Sequence, residues 1–172
     1  VQRQLTALGV ELRCGYQAAG FDGDALQLEN EAGESYTVLA NQVVVAVGRR
    51  PNTAELGLHK IGVRPAENGL LPVAPDRRLA EHVSAIGDIT PGPALAHKAS
   101  AEAEVAIDAL CGKRVAFEPL AIPAVVFSDP EVAVAGLGKS AARELGIEIH
   151  ESSFPLAASG RAAAYCAARP GT

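Results

Sequence analysis

The stretch from Ala85 to Ala99, AIGDITPGPALAHKA, constrains the fold more than any other part of this chain. An apolar run ends at Gly87-Asp88, two prolines and a glycine follow, and an alanine-rich helical pattern begins near Pro93. In open α/β sheets, ligands bind beyond the carboxyl ends of the strands. Glycine there permits close approach to the backbone, and the start of a helix offers free N–H groups. The stretch therefore predicts a strand, a bend and a helix around a ligand crevice.

Asp88 has two interpretations at this bend. Its carboxylate can accept hydrogen bonds from sugar-type hydroxyls, while the helix N-terminus favours an anion or a polarised carbonyl. A polyol chain attached to an electron-rich ring would satisfy both groups. Alternatively, Asp88 only caps the turn before the helix. Arg49 and Arg50 in the loop GRRPNT are equally ambiguous, since they could pair with phosphate or remain solvated.

The order of predicted elements indicates an α/β fold with α+β parts. A helix is predicted over residues 2–8, followed by strands over 10–14, 25–30 and 35–40. The turns FDGD and EAGE make these strands a β-meander. The next segment, QVVVAVG at 42–48, is apolar throughout and predicts a strand buried on both faces.

The clearest helix is predicted over residues 94–111, between Pro93 and Gly112. Its apolar face at helical spacing comprises Leu95, Ala99, Ala103, Ala106, Ile107 and Leu110. Short strands are predicted on either side of it, and a further helix follows in KSAARELG. These strands are LLPV at 70–73, VSAIG at 83–87, two strands joined at Ser128-Asp129-Pro130, and IEIHESSF at 147–154.

Composition excludes several classes of function. The net charge is −5 and no block of Lys and Arg stands out, so we expect no nucleic-acid partner. No apolar run is long enough to span a bilayer, so we expect no membrane association. The three cysteines, Cys14, Cys111 and Cys166, have neither metal nor C-x-x-C spacing. We therefore expect reduced thiols and no metal site.

Four segments in order resemble the pyridine nucleotide-disulfide oxidoreductase family. They are VVVAVGRRPNT, VSAIGDITPGPALAHKA, IPAVVFSDPEVAVAG and FPLAASGRA. The AHKA segment resembles the dihydrolipoyl dehydrogenase branch more than the glutathione and mercuric reductases. Ala94, Ala103 and Val134 depart from that branch's usual Met, Gly and Trp.

This resemblance implies three domain segments. Residues 1–50 correspond to the C-terminal part of a Rossmann-like NAD-binding domain that includes the β-meander. Residues 51–118 correspond to the second segment of an FAD-binding domain. Residues 119–172 correspond to the first part of an α+β interface domain, through which subunits dimerise.

The resemblance also implies cofactor-binding residues. Asp88 matches the aspartate that holds the ribityl hydroxyls of FAD. Gly48 matches a glycine that borders the NAD dinucleotide. The flavin ring would lie along the backbone of Ala94, Leu95, Ala96 and His97.

The family's catalytic groups are not found in this sequence. The flavin motif G-x-G-x-x-G, the redox pair C-x-x-x-x-C and the His-Pro…Glu base are all absent. We therefore expect no catalytic residue here and a middle segment of a larger enzyme that is inactive by itself. The alternatives are a segment of a sister disulfide reductase, or a non-catalytic relic that binds a nucleotide or pairs with another subunit.

For the larger enzyme, the resemblance implies oxidation of protein-bound dihydrolipoamide, with electrons passing through FAD to NAD. It implies a homodimer whose partner is the lipoyl-bearing protein of a 2-oxoacid dehydrogenase or glycine cleavage complex. We expect a bacterial cytoplasmic location, with the mitochondrial matrix as the alternative. We also expect exposed apolar surface in this segment, and hence marginal stability and self-association.

Overall fold

The computed structural model describes residues 1–167, and side-chain surroundings as far as Ala164. Contacts divide the chain into two compact units, one from Val1 to Ala135 and one from Gly136 onward. The mixture of helices and strands confirms the predicted α/β class with α+β parts.

The first unit contains two α-helices, three small antiparallel sheets and two 3-10 turns. In chain order its elements are α1 (Gln2–Ala7), β1 (Tyr16–Asp22), β2 (Ala25–Asn30), β3 (Ser35–Leu39), a 3-10 turn (Leu58–Ile61), β4 (Arg78–Ala80), β5 (Val83–Ser84), a 3-10 turn (Gly87–Ile89), α2 (Ala96–Leu110), β6 (Ala124–Val126) and β7 (Val132–Val134).

The predicted β-meander is confirmed as the sheet β1-β2-β3. Tyr16 pairs with Asn30 and Asp22 with Ala25, so the FDGD turn joins β1 to β2 through two residues. Gly23 there has a φ of +63°, a conformation that favours glycine in tight hairpins. The strand predicted over 10–14 is wrong, because those residues do not join the sheet and its first strand is Tyr16–Asp22.

Several strand predictions are wrong. Residues 42–48, 70–73 and 147–154 form no strand, and the 83–87 segment is a strand only at Val83–Ser84. The first of these shows why, since Val44 and Val47 are about nine-tenths exposed. An apolar run forms a buried strand only where neighbours pair with it and cover it. None of the sheets in residues 1–167 supplies such neighbours to this segment.

The hydrophobic core of the first unit is formed by side chains within residues 58–89. Leu58, Leu71 and Ala85 are buried there, with Val63, Val73, Leu79 and Ile89 packed around them. The Leu71 N–H donates to the Ile89 carbonyl oxygen at 2.8 Å, which ties this core to the second 3-10 turn. The core therefore supports the bend at Gly87-Asp88 from below.

The helix predicted over 94–111 is confirmed as α2, but its predicted apolar face is only partly right, because Ala106 is buried while Ile107 and Leu110 are not. The buried residues of α2 are Lys98, Glu102, Ala106 and Ala109. Ile107 and Leu110 are instead 59% and 56% exposed. The buried face of α2 includes the ion pair of Lys98 and Glu102. Hydropathy alone would place two charged side chains on the solvent-facing side of the helix.

The second unit contains α3 (Lys139–Glu144), a 3-10 turn (Leu156–Ala158) and α4 (Gly160–Ala167). The short helix predicted in KSAARELG is thereby confirmed. Ala142 is its fully buried residue, and Lys139 forms an ion pair with Glu151. Residues 168–172 lie outside the described residues.

We predict that Leu71→Ala destabilises the first unit by about 2–5 kcal/mol, because it opens a cavity in a core that has few other buried side chains. Leu71 is only 1% exposed. Leu120→Ala is the matched control, since that side chain is fully exposed and should change stability by less than about 0.5 kcal/mol. Urea unfolding followed by far-UV circular dichroism measures both, and equal effects would contradict this assignment of the core.

Candidate functional site

The candidate site is built around the 3-10 turn Gly87–Ile89, where the chain leaves β5. Gly87 has a φ of +80°, a left-handed conformation that side chains rarely adopt. A Cβ there would lie 3.4 Å from the Cβ of Ala99 in α2. Glycine therefore serves both the turn and the close contact between the turn and the helix.

Asp88 projects from this turn with its side chain 57% exposed. Its one ion-pair partner among the described residues is Arg49, whose Nη1 lies 3.5 Å from Oδ2. Arg49 is itself 76% exposed, so the pair is solvated and contributes at most about 1 kcal/mol. A ligand hydroxyl can therefore compete for the Asp88 carboxylate at little cost.

Asp88 does not cap the helix that follows. The residue at the N-cap of α2 is Leu95, and no side chain makes a capping hydrogen bond there. The Leu95 N–H donates to the Pro93 carbonyl, and the first bond of the helical ladder runs from the Ala99 N–H to the Leu95 carbonyl oxygen at 3.1 Å. The N–H groups of residues 96–98 precede this bond and remain available to an acceptor.

A cleft of about 610 Å³ joins the bend to the GRRPNT loop. Its volume lies in the usual range for small-molecule sites. Its lining includes both polar and apolar residues. The lining residues are Arg49, Arg50, Pro51, Asn52, Asn68, Leu70, Asp88, Ile89, Gly92 and Ala94.

Behind the wall of this cleft, Lys98 and Glu102 form a buried ion pair. Both side chains have no exposed surface, and Lys98 Nζ lies 3.2 Å from Glu102 Oε2. Lys98 Nζ also donates to the Gly87 carbonyl oxygen at 2.9 Å and lies 3.3 Å from that of Pro91. Glu102 Oε2 accepts the Gly87 N–H at 2.7 Å. The pair therefore binds both polar groups of the Gly87 backbone.

Thr90 and Arg77 complete this cluster. The buried Thr90 hydroxyl lies 2.8 Å from the Gly87 carbonyl oxygen and 2.9 Å from Glu102 Oε1, and it accepts from Lys98 Nζ at 2.9 Å. Arg77 Nη1 donates to Glu102 Oε1 at 3.0 Å. We call Lys98, Glu102, Thr90 and Arg77 the buried polar cluster.

The buried polar cluster sets the pKa of Glu102. Burial alone raises the pKa of this carboxyl, but the hydrogen bonds from Gly87, Thr90, Lys98 and Arg77 outweigh burial and leave the pKa below its ordinary value. The carboxylate is therefore ionised throughout the physiological pH range.

The predicted site residues are partly brought together. Asp88 and Ala94 line the same cleft, and Leu95, Ala96 and His97 continue from Ala94 into α2. The imidazole of His97 turns to another partner, since its Nε2 lies 2.7 Å from the Pro123 carbonyl oxygen.

Gly48 adjoins the lining residue Arg49 and has a φ of +126°, which favours glycine at this position. The roles assigned to Gly48, Asp88 and residues 94–97 remain predictions.

The buried polar cluster was not predicted from the sequence. The signal was present as a Lys and a Glu four residues apart in a helix, the spacing at which side chains meet. Such pairs usually lie on solvated faces, so the spacing by itself did not indicate burial.

Other features of the described residues do not add to the site. A second cleft of about 670 Å³ lies at the far end of α2, between residues 74–78 and 112–116. Within residues 1–167 no group of three His, Cys, Asp or Glu side chains is placed to hold a metal ion. No helix of this part of the chain is long and apolar enough to cross a membrane. Cys14 and Cys111 are exposed free thiols.

We predict that the buried polar cluster makes the free energy of unfolding depend on pH in the acidic range. Because the pKa of Glu102 is lower in the folded state, its carboxylate stabilises the folded state when the pH is above the ordinary Glu pKa of about 4.3. This contribution is lost as the pH falls toward the pKa of the folded state. Glu102→Gln should therefore lower the urea midpoint at neutral pH, and the difference from wild type should shrink in acid. A difference that stays constant down to about pH 3 would contradict this assignment. Glu104→Gln, at an exposed position of the same helix, is the control.

Comparison with known protein families gives two matches. Residues 1–103 match the profile of the pyridine nucleotide-disulphide oxidoreductases. Residues 122–171 match the dimerisation domain of the same family. The family uses FAD and NAD, which confirms the cofactors expected from the sequence at the level of the family.

Similar curated proteins include two named dihydrolipoyl dehydrogenase. The protein from Geobacillus stearothermophilus is 46% identical over 168 residues, covering 95% of this chain and 36% of the relative. The protein from Staphylococcus aureus is 49% identical over 131 residues, covering 76% of this chain and 28% of the relative. The chain thus spans about a third of the length of the curated relatives it matches.

Solved structures show the same similarity at lower identity. LpdA from Mycobacterium tuberculosis matches with a TM-score of 0.75 and 26% identity, covering 95% of this chain and 36% of that one. The HOCl-induced flavoprotein disulfide reductase RclA from Escherichia coli matches with a TM-score of 0.74 and 26% identity, covering 95% and 38%. Profile, sequence and structure agree, and the chain belongs to the pyridine nucleotide-disulphide oxidoreductase family.

Proposed function

We propose that this chain is a cofactor-binding segment of a dihydrolipoyl dehydrogenase. The larger enzyme would oxidise dihydrolipoamide carried on a protein, and two electrons would pass through a disulfide and FAD to NAD, giving NADH. Relatives of that name at 39–49% identity support this proposal. Because the chain spans about a third of those relatives, the proposal for this segment concerns cofactor binding rather than catalysis.

One observation carries the proposal. The Asp88 carboxylate is exposed, has only a weak ion-pair partner and lines the cleft. Ala94 lines the same cleft, just before the free N–H groups at the start of α2. Asp88 would accept hydrogen bonds from the ribityl hydroxyls, and the start of α2 would lie against the polar edge of the flavin ring. When bound, FAD supplies the electron-transfer chemistry, and the protein contributes binding, orientation and electrostatics.

The remaining site assignments follow the same proposal. Gly48 would border NAD at the end of the nicotinamide-binding segment, residues 1–50. Residues 51–118 would form the flavin segment, with Ala94, Leu95, Ala96 and His97 along the ring. Residues 119–172 would contribute to a homodimer interface, in keeping with the dimerisation profile matched by 122–171.

The proposed partner and location concern the larger enzyme. Its protein substrate would be the lipoyl-bearing component of a 2-oxoacid dehydrogenase or glycine cleavage complex. We place the enzyme in the bacterial cytoplasm; the organisms of its relatives support a bacterial enzyme.

The similarity to RclA favours a second candidate, a sister disulfide reductase. A chimera distinguishes the two: the part of this chain that aligns with the Geobacillus stearothermophilus relative replaces the matched 36% of that relative. Retained FAD with NAD-dependent turnover of dihydrolipoamide supports the first candidate. Retained FAD with loss of that turnover and gain of activity on another disulfide supports the second.

We predict that Asp88→Ala weakens riboflavin binding to this chain about tenfold, the loss expected for hydrogen bonds to a charged acceptor. Quenching of flavin fluorescence measures the dissociation constant. Riboflavin is the appropriate probe because it carries the ring and the ribityl chain that this segment would contact.

Asp24→Ala is the matched control, because Asp24 is an exposed acid in the turn between β1 and β2. It should leave riboflavin binding unchanged. If Asp88→Ala and Asp24→Ala bind riboflavin equally well, the proposed role of Asp88 is wrong.

A further inference from the structure

The contacts of the buried polar cluster converge on one short loop, residues 87–91. Lys98 binds the carbonyl oxygens of Gly87 and Pro91, and Glu102 accepts the Gly87 N–H. The Thr90 hydroxyl accepts from Lys98 Nζ, and its one proton faces two acceptors, the Gly87 carbonyl oxygen and the Glu102 carboxylate. The loop backbone is therefore held on the first two turns of α2 at several points.

Helix stability does not explain this arrangement. Lys98 lies in the first turn of α2, where the helix dipole disfavours a cation. Burial of an ion pair is also costly, and apolar side chains of similar volume would hold the helix to the core at least as well. Such apolar side chains would not, however, fix the backbone groups of the loop in one orientation.

Asp88 depends on this orientation because it has little else to hold it. The residue lies inside the clamped loop, yet its own side chain has only the solvated contact with Arg49. The stem of Lys98 also packs beneath the cleft, since a Cβ on Gly92 would lie 3.4 Å from Lys98 Cδ. The cluster thus supports the wall of the cleft directly behind Asp88.

We propose that Lys98, Glu102 and Thr90 are positioning residues for the ribityl subsite: they fix loop 87–91 on α2 so that the Asp88 carboxylate is held in the cleft beside the free N–H groups of the helix. This inference rests on the proposed function, because it takes the ligand of Asp88 to be the polyol chain of a flavin. The cluster itself touches no ligand.

Thr90→Val tests this, because it removes the linking hydroxyl and keeps the shape of the side chain. The test compares riboflavin with lumiflavin, which has the same ring without the ribityl chain. We expect wild type to prefer riboflavin about tenfold, from the hydrogen bonds to Asp88. Thr90→Val should reduce this preference toward one while the lumiflavin affinity stays unchanged. Thr90→Ser, which restores the hydroxyl, should restore the preference.

Thr37→Val, an isosteric change at an exposed position of β3, is the matched control and should keep the preference. A preference that Asp88→Ala abolishes but Thr90→Val leaves intact overturns this inference alone. A wild-type chain with no preference contradicts the proposed function. Equal weakening of both ligands in Thr90→Val without rescue by serine indicates a merely structural role, and also overturns the inference.

Amide hydrogen exchange gives a second readout that needs no flavin. The Gly87 N–H should exchange slowly in wild type, because it donates to a buried carboxylate. Thr90→Val should accelerate its exchange while amides near Leu110 keep their rates. A Gly87 amide that exchanges at the rate of an exposed loop in the folded wild-type chain overturns the inference.

Discussion

The ion pair of Lys98 and Glu102 holds the bend on which the candidate site depends. Neither side chain has exposed surface, so each charge must be compensated inside the fold. Lys98 has three N–H donors, and its oxygen partners lie between 2.9 and 3.3 Å away. Removing either partner would leave a buried charge, a change that typically costs about 3–5 kcal/mol. The buried ion pair therefore depends on the loop that supplies the backbone groups of Gly87 and Pro91.

This constraint separates the groups that build the site from the groups that face its cleft. The building groups, Glu102 and Thr90, are buried and mutually hydrogen-bonded. The facing groups, Asp88 and Arg49, are exposed and only weakly paired with each other. Such a division suits ligand binding, because the facing groups can exchange partners while their positions stay fixed from behind. The buried polar cluster carries two positive charges and one negative charge, and it lies near the start of α2. The helix dipole there also favours a negatively charged ligand group.

The sequence allowed prediction of features that depend on local chemistry. The FDGD turn, the helix between Pro93 and Gly112, and the role of Gly87-Asp88 as a bend all follow from backbone preferences of a few residues. Features that depend on distant neighbours were not predictable in this way. Residues 42–48 read as a buried strand but are exposed without a pairing strand. The inner face of α2 carries charges whose partners lie in another loop, and hydropathy cannot show such partners.

The most direct test is a riboflavin titration of the isotopically labelled chain, followed residue by residue through its backbone amide resonances. We expect saturable shifts at Asp88, at residues 96–98 and in the loop at Arg49, which share one cleft or its rim. Shifts confined to residues 112–116, in the second cleft at the far end of α2, would contradict it.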